Sequence, residues 1–266
     1  MTWPAMVIRQ DAATAADGDL VAAESGSALI ACSLLDIPAR KCALEGLERF
    51  RDVLRAGALP VGSVEFVREA MRLAGICEPQ PLSYPLELDR FLGRAVDISM
   101  IGDLRGSVFV KPVTTKQFTG FVWHEFAPPA DYSEHDLEQL LAMRKLPATT
   151  PVWVSDRVKF VSEWRYYVRD SRVVGRARYD PEGEKDAPEP DMDVVLAAIR
   201  EMATSPNCPA AYGLDMGVLA DGRTVMVELN DAWALGHYGR ALEPKDYLGL
   251  LAARWAQVLS TKQCCR

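Results

Sequence analysis

Two apolar runs with a tight turn between them, residues 212–219 and 224–229, leave this chain little local freedom near its C-terminal end. Asp221-Gly222 between them signals a β-hairpin, because a short turn needs φ > 0 at its central positions and Asp-Gly tolerates it. Glu228 and Asn230 are two apart on the second run, so their side chains leave the same face. A turn centred on Asp221-Gly222 sets Asp215 opposite Glu228. Opposed carboxylates repel unless a cation lies between them. An Asp, a Glu and an Asn offer only oxygen donors, a set that suits Mg²⁺ shared with nucleotide phosphates better than Zn²⁺. The other reading is an ordinary hairpin with a solvated acidic face.

The chain has 266 residues, enough for one large domain or two smaller ones. A formal net charge of −7 argues against a nucleic-acid track or an anionic membrane surface as the main partner. The apolar stretch at residues 20–35 is interrupted by Glu24, Ser25, Gly26 and Ser27, and no run approaches the ~20 residues that span a bilayer. The first residues lack a basic region leading into an apolar core, so the expected location is the cytoplasm. Six scattered cysteines without metal-type spacing read as free thiols.

Residues 1–95 read as a small α/β unit and residues 96–266 as a second, strand-rich domain. Within the first, residues 38–56 and 63–74 carry helical periods, and Gly75 sits where a helix stop is expected. Residues 78–85 hold three prolines and form either a connector or a loop lining a cleft. Beyond it, residues 107–113, 118–126, 151–154, 158–168 and 172–178 read as strands, with Asp170-Ser171 as a turn. Residues 133–144, 193–204 and 244–259 read as helices, the first opened by a Ser133 N-cap. The acidic, Pro-rich residues 179–191 form a loop.

Several polar residues interrupt these strands. Lys111 lies within VFVKPV, where an ammonium is costly to desolvate unless an anion meets it, or where an edge strand turns it to water. Lys116 follows in a short loop closing at Thr119-Gly120, a place for phosphates or simply for a solvated side chain. Glu163 and Arg165 share a face and either pair or hold a polar ligand jointly; Arg176 and Arg178 repeat that spacing on the next strand. A hairpin at Asp170-Ser171 is expected to bring the three arginines together as a clamp for phosphate or carboxylate, with cross-strand surface pairing as the alternative. Trp153 and Val154 are placed to lie against a purine with Asp156 near a ribose hydroxyl, or else to fill a core strand. His124, His135 and His237 share no spacing and read as packing or surface residues, and no P-loop or dinucleotide fingerprint is present.

In this order, a strand lysine (VFVKP), a loop ending in Thr-Gly (KQFTG), a hinge strand (VWVSD), an acid-arginine strand (SEWRYYV) and a last hairpin of pattern D…E-x-N resemble the ATP-grasp superfamily, in particular its short bacterial and phage members related to carboxylate–amine ligases. The resemblance implies an ATP-grasp fold of the α+β class, with Lys111 and Lys116 on the phosphates, Trp153 and Val154 on adenine, and Asp156 near the ribose. It implies Mg²⁺ on Asp215, Glu228 and Asn230, and Arg165 helped by Arg176 or Arg178 at the transferred phosphoryl group. The implied reaction joins a small-molecule or peptide carboxylate to an amine at the expense of ATP, through an acyl-phosphate. A kinase on the same fold and a non-catalytic nucleotide-binding module stay open. Many such ligases carry an arginine two residues before the metal-binding Asp; Gly213 stands there in this chain.

Overall fold

The structure, a computed structural model, describes residues 3–115, 117–180 and 186–260. It opens with a parallel sheet of order β2-β1-β3, built from β1 (Val7–Gln10), β2 (Ala39–Cys42) and β3 (Leu59–Val61). Helix α1 (Gly18–Leu35) makes the crossover from β1 to β2, α2 (Arg51–Arg55) precedes β3, and α3 (Val64–Ala74) follows it. Ser63 caps α3 by accepting from Phe66 N, and Gly75, at φ +70°, ends it. The single helix expected over residues 38–56 is not formed. Residues Ala39–Cys42 pair with β1 instead, since a ladder to a buried neighbour outweighs a local helical period that only begins at Ala43.

The second layer is antiparallel, of order β4-β7-β5-β6: β4 (Val96–Met100), β5 (Ser107–Pro112), β6 (Phe121–His124) and β7 (Pro151–Ser155). Helix α4 (Glu134–Arg144), capped by Ser133, covers one face, where Val110, Phe121, Leu140, Met143 and Val152 pack together. Strand alternation therefore turns Phe109, Lys111, Trp153 and Ser155 to the other face.

The third layer, of order β11-β10-β8-β9, is formed by β8 (Phe160–Arg169), β9 (Arg172–Arg178), β10 (Ala211–Leu219) and β11 (Thr224–Asp231). Asp170 and Ser171 both take positive φ (50° and 57°), the conformation that matches a hairpin turn to strand twist. One face of this sheet packs against α5 (Met192–Met202) through Tyr166, Val168, Leu214 and Met216. The opposite face carries Glu163, Arg165, Asp215, Glu228 and Asn230.

Helix α6 (Pro244–Ser260) brings Leu248, Leu251 and Trp255 into the core that also holds Val7, Ile8, Leu59 and Phe66 of the first unit and Tyr167 and Ala211 of the third layer. That core crosses the division at residue 95. By length and composition α1 could traverse a membrane. Here it packs on α6 and β1, and Ser25 Oγ donates to Gln10 O at 3.0 Å. Cys32, Cys42 and Cys208 are free thiols, as expected, whereas Cys77, just past the end of α3, is disulfide-bonded.

Candidate active site

The face of the third sheet that lacks α5 gathers the charges. Arg165 lies opposite Asp215 across the β8–β10 ladder and donates from Nε to Oδ1 (2.8 Å) and from Nη2 to Oδ2 (2.7 Å). Asp215 is fully buried. Burial works against the Arg165 charge, but the carboxylate outweighs it and holds the guanidinium protonated beyond its ordinary range. Tyr238 and Tyr179 present their rings to the same guanidinium, at 4.9 and 5.6 Å from its carbon. Gly213 makes room for this arrangement: a Cβ there would meet Arg165 Nε at 3.2 Å. The arginine missing from strand β10 is thus replaced in space by one arriving from β8.

Asp215 faces Glu228 across the β10–β11 ladder, the pairing the hairpin predicted. The turn itself differs. Leu219 N donates to Arg223 O, so the loop is Ala220-Asp221-Gly222, with Gly222 at φ +84°. Near the turn Met216 pairs with Met226, and a register shift between Asp215 and Met216, with Val227 as the extra residue, restores Glu228 to its place. Asn230 Nδ2 donates to Asp215 Oδ2 (2.9 Å) and to Glu228 Oε1 (3.1 Å), so the three expected metal-holding side chains converge. Their oxygen donors fit a small hard cation. Glu228 and Asn230 face a cavity, and Asp215 lies behind them with both oxygens bonded to Arg165.

Lys111 reaches across from the second layer and forms an ion pair with Glu228. Burial pulls its ammonium down to about 8. A cavity of about 570 Å³ runs along Lys111 and Glu228 between the two antiparallel sheets, lined also by Tyr84, Arg94, Asp156 and Phe160. Glu163 lines it too; burial raises its carboxyl, although the Tyr179 hydroxyl donates to Oε2 at 2.9 Å. Trp153 and Val154 stop short of it. The Trp153 ring is edge-on to Tyr84, 5.1 Å between centroids, and Val154 turns to the α4 side; Ser155 and Asp156 take the lining position. A second cavity, about 640 Å³, shares Lys111, Glu228, Thr119 and Gly120 with the first. It extends past Arg165 and Asn230 to Glu24 and Ser63 of the parallel unit, and Pro79 and Leu82 of the proline-rich connector form part of its wall.

Two expected residues do not join the site. Arg178 pairs with Trp164 and Arg176 with Tyr166 across the β8–β9 ladder, which puts both on the opposite face from Arg165. Arg176 instead binds Glu189 and covers the Trp164 ring, and Arg178 binds Asp180. The three-arginine clamp is therefore not made. Lys116 lies outside the described residues, as do residues 181–185 of the acidic loop. The sequence reading missed Tyr84, Arg94, Tyr179 and Tyr238. Of these only Arg94 carried a local signal, a Gly-Arg pair just ahead of an unread strand.

A nucleotide-sized cavity held between two four-stranded antiparallel sheets, with a small parallel α/β unit in front, defines the ATP-grasp fold. Residues 91–250 match a family described as an ATP-grasp domain, the second family of its clade, and the chain belongs to that family. No curated protein matches its sequence. Among solved structures it is similar to the D-cycloserine synthetase DcsG (TM-score 0.53, 18% identity, covering 96% of this chain and 98% of that one). D-alanine–D-alanine ligase from Bacillus anthracis in complex with ATP superposes with TM-score 0.54 and 14% identity over 96% of this chain and 95% of that one. The ATP-grasp ligase PsnB in complex with a minimal precursor gives TM-score 0.50 and 16% identity over 94% and 99%.

Proposed function

We propose that this protein is an ATP- and Mg²⁺-dependent carboxylate–amine ligase that forms an amide or peptide bond through an acyl-phosphate and releases ADP and phosphate. The observation that carries the reading is the meeting of two cavities at Lys111 and Glu228, each of a size that holds a small molecule. One would take the nucleotide, with Lys111 against its phosphates, Lys116 over them from the loop, and Asp156 near the ribose. The other would take the acid and then the amine. Trp153 would support the base pocket through Tyr84.

The reaction begins with attack of a substrate carboxylate oxygen on the γ-phosphorus, the bond to ADP breaking. The amine then attacks the acyl carbon and phosphate leaves. Glu228 and Asn230, backed by Asp215, would hold Mg²⁺, which supplies charge neutralisation on the outer phosphates. Arg165 serves the transferring phosphoryl group and the acyl-phosphate. Its guanidinium is already fixed by Asp215 and two aromatic rings, so little reorganisation is needed as charge moves. A place of action in the cytoplasm agrees with the need for ATP.

The test is ADP release with Mg-ATP across pairs of amino acids, small carboxylic acids and peptides, the range suggested by the substrates named for the structural relatives. ADP release that requires both an acid and an amine is the expected result. Absence of both thermal stabilisation and turnover with Mg-ATP would remove the reading.

A further inference from the structure

Strand β11 is an edge strand, and three neighbours lie along its free side. Ser83 O accepts from Leu229 N at 3.0 Å. Arg94 donates from Nη1 to Met226 O (2.9 Å) and from Nη2 to Val227 O (3.0 Å), while Nη1 also binds Leu92 O (3.1 Å). Gly93, at φ +63°, approaches so closely that a Cβ there would come within 2.5 Å of Val225 Cγ1. Residues 92–94 therefore clasp residues 225–227, where Val227 is the extra residue of the bulge.

The place of the clasp has a consequence for the site. Successive carbonyls of a regular strand point to opposite sides, so one guanidinium meets two in a row only where a bulge has turned them together. Continued from the turn without that bulge, the register would put Val227 opposite Asp215. Glu228 and Asn230 would then point to the α5 side, among Leu214 and Tyr212.

We infer that Arg94 is a positioning residue whose guanidinium locks the Val227 bulge and thereby sets Glu228 and Asn230 on the face of Asp215 and Arg165. The part played there by Glu228 and Asn230 rests on the proposed ligase reading; the clasp itself does not. Three of the five guanidinium N–H donors are committed to backbone carbonyls, which a lysine ammonium cannot reproduce in fork geometry.

The deciding variant is Arg94→Lys, which keeps the positive charge beside the nucleotide cavity. Hydrogen exchange of the free protein should show faster exchange across residues 224–231, with residues 7–10 unchanged. By calorimetry, the Mg²⁺ concentration that half-saturates ATP binding should rise by roughly 10- to 100-fold, the range for lost support behind a metal ligand. ATP binding in EDTA should change little. In a Glu228→Gln background Arg94→Lys should add almost nothing. Gly93→Ala, which pushes the loop away from Val225 and leaves the guanidinium intact, should reproduce the exchange pattern.

Unaltered exchange in both variants would overturn the clasp. Faster exchange with an unaltered Mg²⁺ requirement, additivity with Glu228→Gln, or a loss confined to ATP binding in EDTA would overturn the positioning role. If the unaltered protein binds no Mg-ATP, the ligase reading fails and the exchange data decide the clasp alone.

Discussion

Lys111 joins the two cavities, and its charge state offers a direct handle on them. Burial holds its ammonium at about 8 in the free protein, and phosphates placed against it would return it toward the ordinary lysine value of 10.5. Nucleotide binding should then take up protons between those two values, and affinity should fall as pH rises through about 8. Calorimetry at alkaline pH in buffers of different ionisation heat should register this uptake, and Lys111→Arg should abolish it. Zero uptake would mean that Lys111 does not meet the phosphates. The Arg165–Asp215 pair is a second handle. Asp215→Ala strands a buried guanidinium, so stability should drop by about 3–5 kcal/mol, measured by denaturant unfolding. A loss well under about 1 kcal/mol would show that water already screens the pair. Single residues such as Lys111, Glu228 and Asn230 were legible because an unusual residue in an apolar strand stands out. Tyr179 and Tyr238 were not, because an aromatic side chain near a strand reads as core wherever it points.

Strands and turns were legible from their alternation, but faces were not always so. The arginines of β9 share their own i, i+2 spacing, yet the β8–β9 register sends Arg176 and Arg178 away from Arg165. Replacing either by Ala should therefore alter turnover by less than roughly threefold, as expected for exposed pairs remote from chemistry. A large loss of kcat would place one of them back in the site. In β10, Gly217 is required by a close approach: a Cβ would meet Phe160 Cδ1 at 2.3 Å. Gly217→Ala should cost about 1–3 kcal/mol in thermal or denaturant unfolding through overpacking. Full stability would show that the Phe160 ring moves freely. Gly217 looked in the sequence like a weak point in a strand, and only the neighbouring β8 side chain explains it.

At the scale of the molecule, α6 ties the parallel unit to the third layer through one shared core. Trp255, almost wholly buried there, should cost about 3–5 kcal/mol on replacement by Ala. Calorimetry should show one cooperative transition for the whole chain, lowered as a unit in that variant; two separable transitions would mean that the halves fold apart. The sequence by itself determined what acts over a few residues. Caps at Ser63 and Ser133, turns at Asp170-Ser171 and near Asp221-Gly222, strand alternation and an oxygen-rich last hairpin all follow from backbone sterics and periods of two or four residues. Only the tertiary structure decided the rest: that Arg165 fills the space beside Gly213, that a bulge at Val227 turns Glu228 toward Asp215, and that two cavities meet at Lys111. These depend on sheet register and on packing between residues far apart in the chain, which short-range patterns do not encode.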